Sequence, residues 1–274
     1  MDETAKAQKA AEAIPIFSRY ARELDAIQDS LQGREFSYKA DDHFAFLAVA
    51  IGFKQAYHMR SVLALLAAGQ SHDAVAIGRL MLEAMAVEHW ASRDQRRAHQ
   101  WRLFSLVLDY HLLQERNAKG ETTAPETAKK IQERALAEAS EFLTKKAKDA
   151  LERGQPLPEK PFVGHWLLSD GAVSGTKALF LPVEVAGLYG LYSASSDWIH
   201  TNPRGIFRIL RRKGHRVTFE PRSHEAAVAG LAAATQALAY SLNTLDARFA
   251  LGLAKRLAEL REEAHEGLDS VGGI

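Results

Sequence analysis

The chain has 274 residues, no cysteine and nearly balanced charge, with 35 Lys and Arg residues against 34 Asp and Glu residues. The lack of cysteine excludes disulfide bonds, thiolate metal ligands and a cysteine nucleophile. A formal net charge of +1 favours no class of partner, so any attraction to nucleic acid must come from a local cluster of charge.

The N-terminal residues MDETAKAQKAAEAIP are polar and charged, without the apolar segment and small-residue cleavage site of a secretory signal. An uncharged stretch from Ala226 to Leu245 is rich in alanine and includes polar residues such as Thr235 and Ser241. This composition favours a buried helix over a membrane span. We therefore expect a cytoplasmic protein with no membrane partner.

Helical periodicity and helix-forming residues dominate the sequence, which predicts an all-α bundle of about six or seven main helices. No repeat or composition break divides it, so a single helical domain over 1–274 is expected. In chain order, the predicted parts are an N-terminal helix (1–30), core helices (41–120), a charged helix (123–154), an irregular segment (around 155–182), and a C-terminal region (183–266) with a polar-striped helix, a basic segment and a long final helix.

Residues that favour helix ends mark several of these boundaries. Asp41 or Asp42, Ser71 and Ser223 suit N-caps, and Pro125 suits a first helical turn. The segment 216–221, RVTFEP, alternates as one short strand for which the sequence offers no obvious partner. The final helix is predicted to run to about 266 with a bend or break near 243–246.

Two charged residues interrupt the apolar run AVAIGRLMLEAMAV at 74–87. Arg79 and Glu83 lie four residues apart, so they share one helix face and can pair. One interpretation is a buried salt bridge that fixes helix register. The other is a functional site in which Arg79 binds an anion or Glu83 handles a proton.

A polar stripe is predicted on the helix that follows 183. Tyr189, Ser193, Ser196 and His200 fall on one helix face, and Tyr192 lies beside them. Asp197, three residues before His200, could orient the imidazole in the way that a carboxylate orients a catalytic histidine. The alternatives are an exposed polar face and a histidine that stabilises the helix C-terminus.

A basic segment follows directly. It has no acidic residue between Asp197 and Glu220, and its cations alternate with apolar side chains. Such a segment suits a phosphate backbone, although a solvated loop has the same composition. The candidate ligand-binding cations are Arg204, Arg208, Arg211 and Arg212.

Known phosphate-loop, dinucleotide-binding, zinc-protease and hydrolase motifs do not occur in the sequence. Glu262 and His265 have the spacing of one half of a di-iron site, and Asp197 with His200 resembles it. We predict no cofactor and no metal.

The stretches Ser61–Trp90 and Tyr192–His200 resemble the bacterial domain-of-unknown-function family numbered 5677. That family is similar in having Arg-x-x-x-Glu on one helix and Ser-x-x-x-His on another. The resemblance covers about the middle half of the chain and implies no reaction. The matching positions are Arg79, Glu83, Ser196 and His200.

A looser resemblance is to HEPN proteins, helical bundles that often act as ribonucleases in toxin and phage-defence systems. Their motif is an Arg followed, after four to six residues, by a His. Arg93 and His99 have this spacing, but Asp94 replaces the usual polar residue after the Arg. The resemblance implies an alternative catalytic pair, Arg93 and His99.

Two functions follow from these patterns. The first is a metal-independent ribonuclease-like phosphodiesterase of a bacterial defence or toxin type, with His200, Arg79 and Glu83 as catalytic residues. The second is a non-catalytic helical module that binds an anionic ligand or a protein partner. The expected ligand is RNA or another anion. A second copy of the chain is the expected protein partner, because twofold pairing is the commonest assembly of apolar helical faces.

Overall fold

The structure is a computed structural model, and it describes residues 3–166, 176–199, 210–213, 215–219 and 222–272. The chain divides into two compact units. Unit 1 comprises Met1–His89 and Leu179–Ile274, and unit 2 comprises Trp90–Ala178. The predicted single domain over 1–274 stays a prediction.

The described residues are predominantly helical, which confirms the all-α prediction. Among them no helix is long and apolar enough to cross a membrane. The helices are α1 (Glu3–Asp29), α2 (His43–Ala67), α3 (Ser71–Ser92), α4 (Gln95–Ala118), α5 (Pro125–Glu138), α6 (Lys145–Glu152), α7 (Val183–Ala186), α8 (Leu188–Ile199), α9 (His224–Phe249) and α10 (Ala254–Ser270).

The helix starts follow from capping residues that were predicted from the sequence. Asp42 accepts a hydrogen bond from the backbone N–H of Ala45 at 3.0 Å, and Ser223 accepts one from Ala226 at 3.2 Å. Each bond satisfies a backbone donor that the first helical turn leaves without an intrahelical partner. Pro125 occupies the first turn of α5, where its missing N–H costs nothing.

Unit 1 is built around the alanine-rich helix α9. Helix α1 packs against α9 and α10, and α2 packs against α9. Large side chains without solvent exposure fill the space between these helices, so α9 is a central buried helix as its composition predicts. The fully buried side chains include Leu24, Leu47, Met59, Leu231, Leu238 and Leu242.

Glycines allow α3 and α9 to approach closely. A Cβ atom added at Gly78 would lie 2.9 Å from the carbonyl oxygen of Gly230. A Cβ atom at Gly230 would lie 3.1 Å from the backbone of Ala74 and Val75. The two backbones are therefore in direct contact one residue before Arg79.

Unit 2 has its own apolar core between α4, α5 and the segment that follows them. The ring of Phe104 packs edge-on against Phe142 at 5.1 Å, and Tyr110 packs against Phe162 at 5.0 Å. A backbone bridge joins Leu143 to Phe162. The core residues are Phe104, Val107, Tyr110, Ala135, Ala139, Phe142, Leu143, Ala147 and Phe162.

Two predicted helices are each divided. The charged segment 123–154 forms α5 and α6, separated by a short 3-10 helix at Ser140–Phe142. The division occurs because Phe142 turns into the unit 2 core. As predicted, the described part of 155–182 has no α-helix, and Thr176–Phe180 forms a 3-10 helix.

The long final helix also differs from its prediction, because it breaks at 250–253 rather than near 243–246. Ala250 adopts a left-handed conformation with φ 49°, and Gly252 follows with φ 77°. These residues end α9 and start the return of α10.

The predicted lone strand is wrong, because the strand has a partner. Strand β1 (Leu210–Lys213) pairs antiparallel with β2 (Arg216–Phe219). The partner strand lies within the basic segment, whose arginines and lysine hid the strand pattern.

Candidate functional site

Arg79 lies on α3, directly after the close contact between α3 and α9, and only 9% of the residue is exposed. Its guanidinium meets two hydroxyl groups of α8. The Nε atom donates to the Ser196 Oγ at 3.0 Å, and Nη2 donates to the Tyr192 hydroxyl at 2.7 Å. The sequence prediction of a buried arginine at this position is confirmed.

The ring of Tyr192 lies against the same guanidinium. The Arg79 Cζ atom is 4.4 Å from the centre of that ring, within the range of a cation–π interaction. Ser196 also donates from its hydroxyl to the Tyr192 carbonyl at 3.2 Å, so one hydroxyl links the guanidinium to the backbone of α8. The orientation of Arg79 is therefore fixed by neutral groups.

Glu83 is less closely associated with Arg79 than predicted. The Arg79 Nη1 and Glu83 Oε2 atoms are 4.0 Å apart, and the Glu83 side chain is 38% exposed. The Tyr192 hydroxyl donates to Glu83 Oε2 at 3.4 Å. The prediction that both residues are buried is thus wrong for Glu83, because the tyrosine hydroxyl links the two charges and holds the carboxylate towards solvent.

Three aromatic rings form one wall of this site. Phe180 is buried and packs 4.9 Å from the ring of Tyr192, and Tyr189 stacks 6.1 Å from the same ring. The aromatic contacts hold α8 in the rotation that points Ser196 at Arg79. We call Arg79, Glu83, Tyr189, Tyr192 and Ser196 the arginine site.

The predicted polar stripe is confirmed in part. Tyr189 and Ser196 belong to the arginine site, whereas Ser193 is exposed. Tyr192 takes its place, since residues three and seven positions apart lie on one helix face.

Several predicted site residues lie wholly or in part outside the described residues. His200, Arg204 and Arg208 lie outside the described residues. Asp197 lies on α8, and Arg211 and Arg212 lie on β1, but their side chains are also outside the part of the chain that the structure describes. Their roles stay predictions.

The alternative pair lies in unit 2. Arg93 is exposed in the turn between α3 and α4, and His99 is half-buried in the second turn of α4. Unit 2 also has a cleft of about 640 Å³. Neither residue lines that cleft, which is bounded by Tyr110, His111, Gln114, Glu115, Asn117, Ala118, Glu159, Lys160, Phe162 and Gly164.

Sequence reasoning missed Glu88, which is fully buried in unit 1. Ser241 of α9 donates a hydrogen bond to Glu88 Oε2 at 2.5 Å, and Oε1 has no hydrogen-bond partner among the described residues. Burial raises the pKa of Glu88 to about 8, and the Ser241 hydrogen bond opposes this shift. Two features of the sequence could have indicated it: Glu88 directly follows an apolar run, and Ser241 is a polar residue within an alanine-rich helix.

Within the described residues, no group of three or more His, Cys, Asp or Glu side chains comes together that could hold a metal ion. The arginine site offers a guanidinium and hydroxyl donors, which bind anions.

Comparison with known proteins finds a family to which the chain is similar. The model of DUF5677, a family of unknown function, matches residues 45–216, which is more than half of the chain. This range includes every residue of the arginine site. No curated protein and no solved structure matches the chain significantly.

Proposed function

Because the chain belongs to DUF5677, a family of unknown function, we propose a function from the arginine site itself: metal-independent cleavage of RNA phosphodiester bonds. One observation supports it most. The nearly buried Arg79 guanidinium is held by hydroxyl groups of α8, and His200 directly follows the last residue of that helix.

The charge of Arg79 is what recruits the substrate. A guanidinium removed from water needs an anionic partner, and within the described residues its ion-pair partner, Glu83, lies at 4.0 Å. A phosphate oxygen at contact distance would form shorter, charge-assisted hydrogen bonds. Tyr192 and Ser196 hold the guanidinium in place before substrate arrives, which lowers the entropy cost of binding.

His200 supplies the proton transfer in this proposal. An imidazole titrates near neutral pH and can act as general acid or base. The 2′-hydroxyl of RNA loses its proton, attacks the adjacent phosphorus, and the bond from phosphorus to the 5′ oxygen breaks as that oxygen gains a proton. Arg79 stabilises the charge on the phosphate oxygens during the step.

The surrounding residues bind the rest of the RNA. Arg204, Arg208, Arg211 and Arg212 contact neighbouring phosphates, and Asp197 orients His200. Tyr189 is half-buried and offers a ring on which a base can stack. The HEPN resemblance favours a bacterial defence or toxin setting for such an activity.

The test is degradation of total RNA with and without a chelator. We expect cleavage that the chelator does not reduce, loss of cleavage in His200→Ala, and a loss of at least tenfold in Arg79→Lys. His265→Ala and Arg134→Lys are matched controls, because both side chains are exposed and lie outside the arginine site. If His200→Ala cleaves RNA at the wild-type rate and His99→Ala does not cleave it, the catalytic residues are Arg93 and His99 instead.

A second candidate is a module that binds an anionic ligand without cleaving it. The favouring observation is that the hydroxyls of Tyr192 and Ser196 hold the Arg79 guanidinium, and this arrangement by itself suits the binding of an anion. Fluorescence polarisation with labelled RNA and competition by inorganic phosphate separates the two. Binding that Arg79→Lys weakens, with no cleavage by wild-type protein, would support this candidate and exclude the first.

A further inference from the structure

Helix α2 has an exposed face despite being apolar on almost every side. Only Lys54 and Arg60 are fully charged among its 25 residues. A helix with this composition is normally buried all round. Yet Tyr57 is 70% exposed and Phe46 is 39% exposed. The α2 face consists of the exposed residues Phe46, Ala50, Lys54, Tyr57, Ser61 and Ala64, together with the exposed C-cap residue Ala68.

We propose that the α2 face binds a second copy of this chain, with the two α2 helices antiparallel across a twofold axis at Tyr57. The terminal helices, whose alanine and leucine content suggests a dimer surface in the sequence, are covered within unit 1. Ala13, Ala21 and Leu24 of α1 are fully buried there. Within the described residues, the most exposed large apolar side chain is Tyr57, at the middle of α2.

The α2 face is complementary to itself in this register. Tyr57 lies seven residues from both Ala50 and Ala64, and eleven residues from both Phe46 and Ala68. A twofold axis at Tyr57 therefore places Ala50 opposite the partner's Ala64, where small residues allow close helix approach. It also places the Phe46 ring opposite the partner's Ala68, which leaves room for it. The face spans about 33 Å at the rise of an α-helix.

Charge supports the same register. Lys54 and Arg60 each lie three residues from Tyr57, so the axis places Lys54 of one chain opposite Arg60 of the other. Arg60 is not a free cation, because it pairs with both Asp25, at 2.9 Å, and Asp29. The group of Arg60, Asp25 and Asp29 has a net charge of −1, which attracts the partner's Lys54 at both ends of the interface. A parallel arrangement would place each Lys54 next to the other.

The absence of cysteine makes a cross-linking test direct, since any disulfide must come from an introduced residue. On mild oxidation, Tyr57→Cys should form a covalent dimer in high yield. Ala50→Cys alone should not, because the two copies of position 50 would be about 21 Å apart along antiparallel helices. A mixture of Ala50→Cys and Ala64→Cys chains should cross-link. Self-linking of Ala50→Cys, or failure of Tyr57→Cys, overturns the proposal.

Oligomeric mass provides the second readout, measured by light scattering at micromolar concentration with an unchanged helical spectrum as the folding control. Wild-type protein should be a dimer and Tyr57→Glu a monomer. Leu108→Glu, at an exposed leucine of α4, is the matched control and should stay dimeric. A monomeric wild-type protein overturns the proposal. This holds also if the monomer binds vesicles of phosphatidylserine and phosphatidylcholine, because the α2 face would then contact a membrane instead of a second chain. A dimer lost in Leu108→Glu but kept in Tyr57→Glu also overturns the proposal.

Discussion

Arg79 and Glu83 lie one helical turn apart, but their burial differs, and the effects of mutating them should differ accordingly. Replacing Arg79 with Met leaves the hydroxyls of Tyr192 and Ser196 without their donor, which should lower the free energy of unfolding by about 1–3 kcal/mol. Glu83→Ala removes a partly exposed carboxylate at the limit of ion-pair distance and should cost less than about 1 kcal/mol. Urea denaturation measures both values, and equal losses would contradict the prediction.

Glu88 should make unit 1 less stable as pH rises. Its pKa is about 8 in the folded chain against an ordinary 4.5, so between these values only the folded state holds the proton. The contribution is fully present below about pH 4.5 and is lost as pH rises through 8, at about 1.4 kcal/mol per pH unit.

Glu88→Gln removes this proton equilibrium while keeping an oxygen for Ser241. The stability of the variant relative to wild type should therefore increase from pH 5 to pH 8, measured by urea denaturation at each pH. A difference that does not change with pH would rule out a titrating Glu88. The exposed Glu262→Gln change is the control and should leave the pH dependence as it is.

At the scale of elements, the close contact of α3 and α9 predicts opposite effects for two glycine substitutions. Gly78→Ala places a methyl group 2.9 Å from the Gly230 carbonyl oxygen and should destabilise the protein by about 1–3 kcal/mol. Gly190→Ala, on α8, meets no atom within 4 Å and should stabilise by about 0.5–1 kcal/mol, as alanine does in an open helix. Thermal melting compares the two, and a Gly78→Ala protein as stable as wild type would mean that the helices separate easily.

The start or end of a helix can be predicted from the sequence when the residues that cause it lie within one turn of it. Asp42, Pro125 and Ser223 act within one turn, so the starts of α2, α5 and α9 could be predicted. The break at Ala250 was not predicted, because alanine itself favours a helix. The left-handed turn there is followed by Gly252, and the Leu253 N–H donates to the Asp246 carboxylate at 2.9 Å, a contact that spans seven residues.

The arginine site shows the same limit. Helical spacing predicted that Arg79 shares a face with Glu83 and that Tyr189 and Ser196 share another. Spacing alone gives no contact between helices, and the hydroxyl of Tyr192 comes between the two charges only because Phe180 and Tyr189 fix the rotation of α8. Glu88 was missed for the same reason, since its partner Ser241 is more than 150 residues away.

At the scale of the whole molecule, unit 2 should fold without the rest of the chain. Its core cluster is made only of its own residues, among them Phe104, Tyr110, Phe142 and Phe162. The segment Trp90–Ala178 expressed alone should give a helical circular dichroism spectrum and a cooperative thermal transition. A broad, non-cooperative transition would show that this cluster is insufficient, and Phe142→Ala should abolish the transition if the cluster is responsible.

Unit 1 is discontinuous, and this has a consequence for synthesis on the ribosome. Helix α2 packs mainly on α9, where Gly52 meets Leu245, so most of its core-facing side stays uncovered until nearly the whole chain has been made. At ordinary rates of translation that interval is roughly ten to forty seconds. Throughout it, an apolar nascent helix stays in reach of chaperones and of neighbouring polysomal chains, while unit 2 can already have folded. Chaperone supply should therefore affect the expression yield strongly, whereas it should have little effect on the stability of the folded protein.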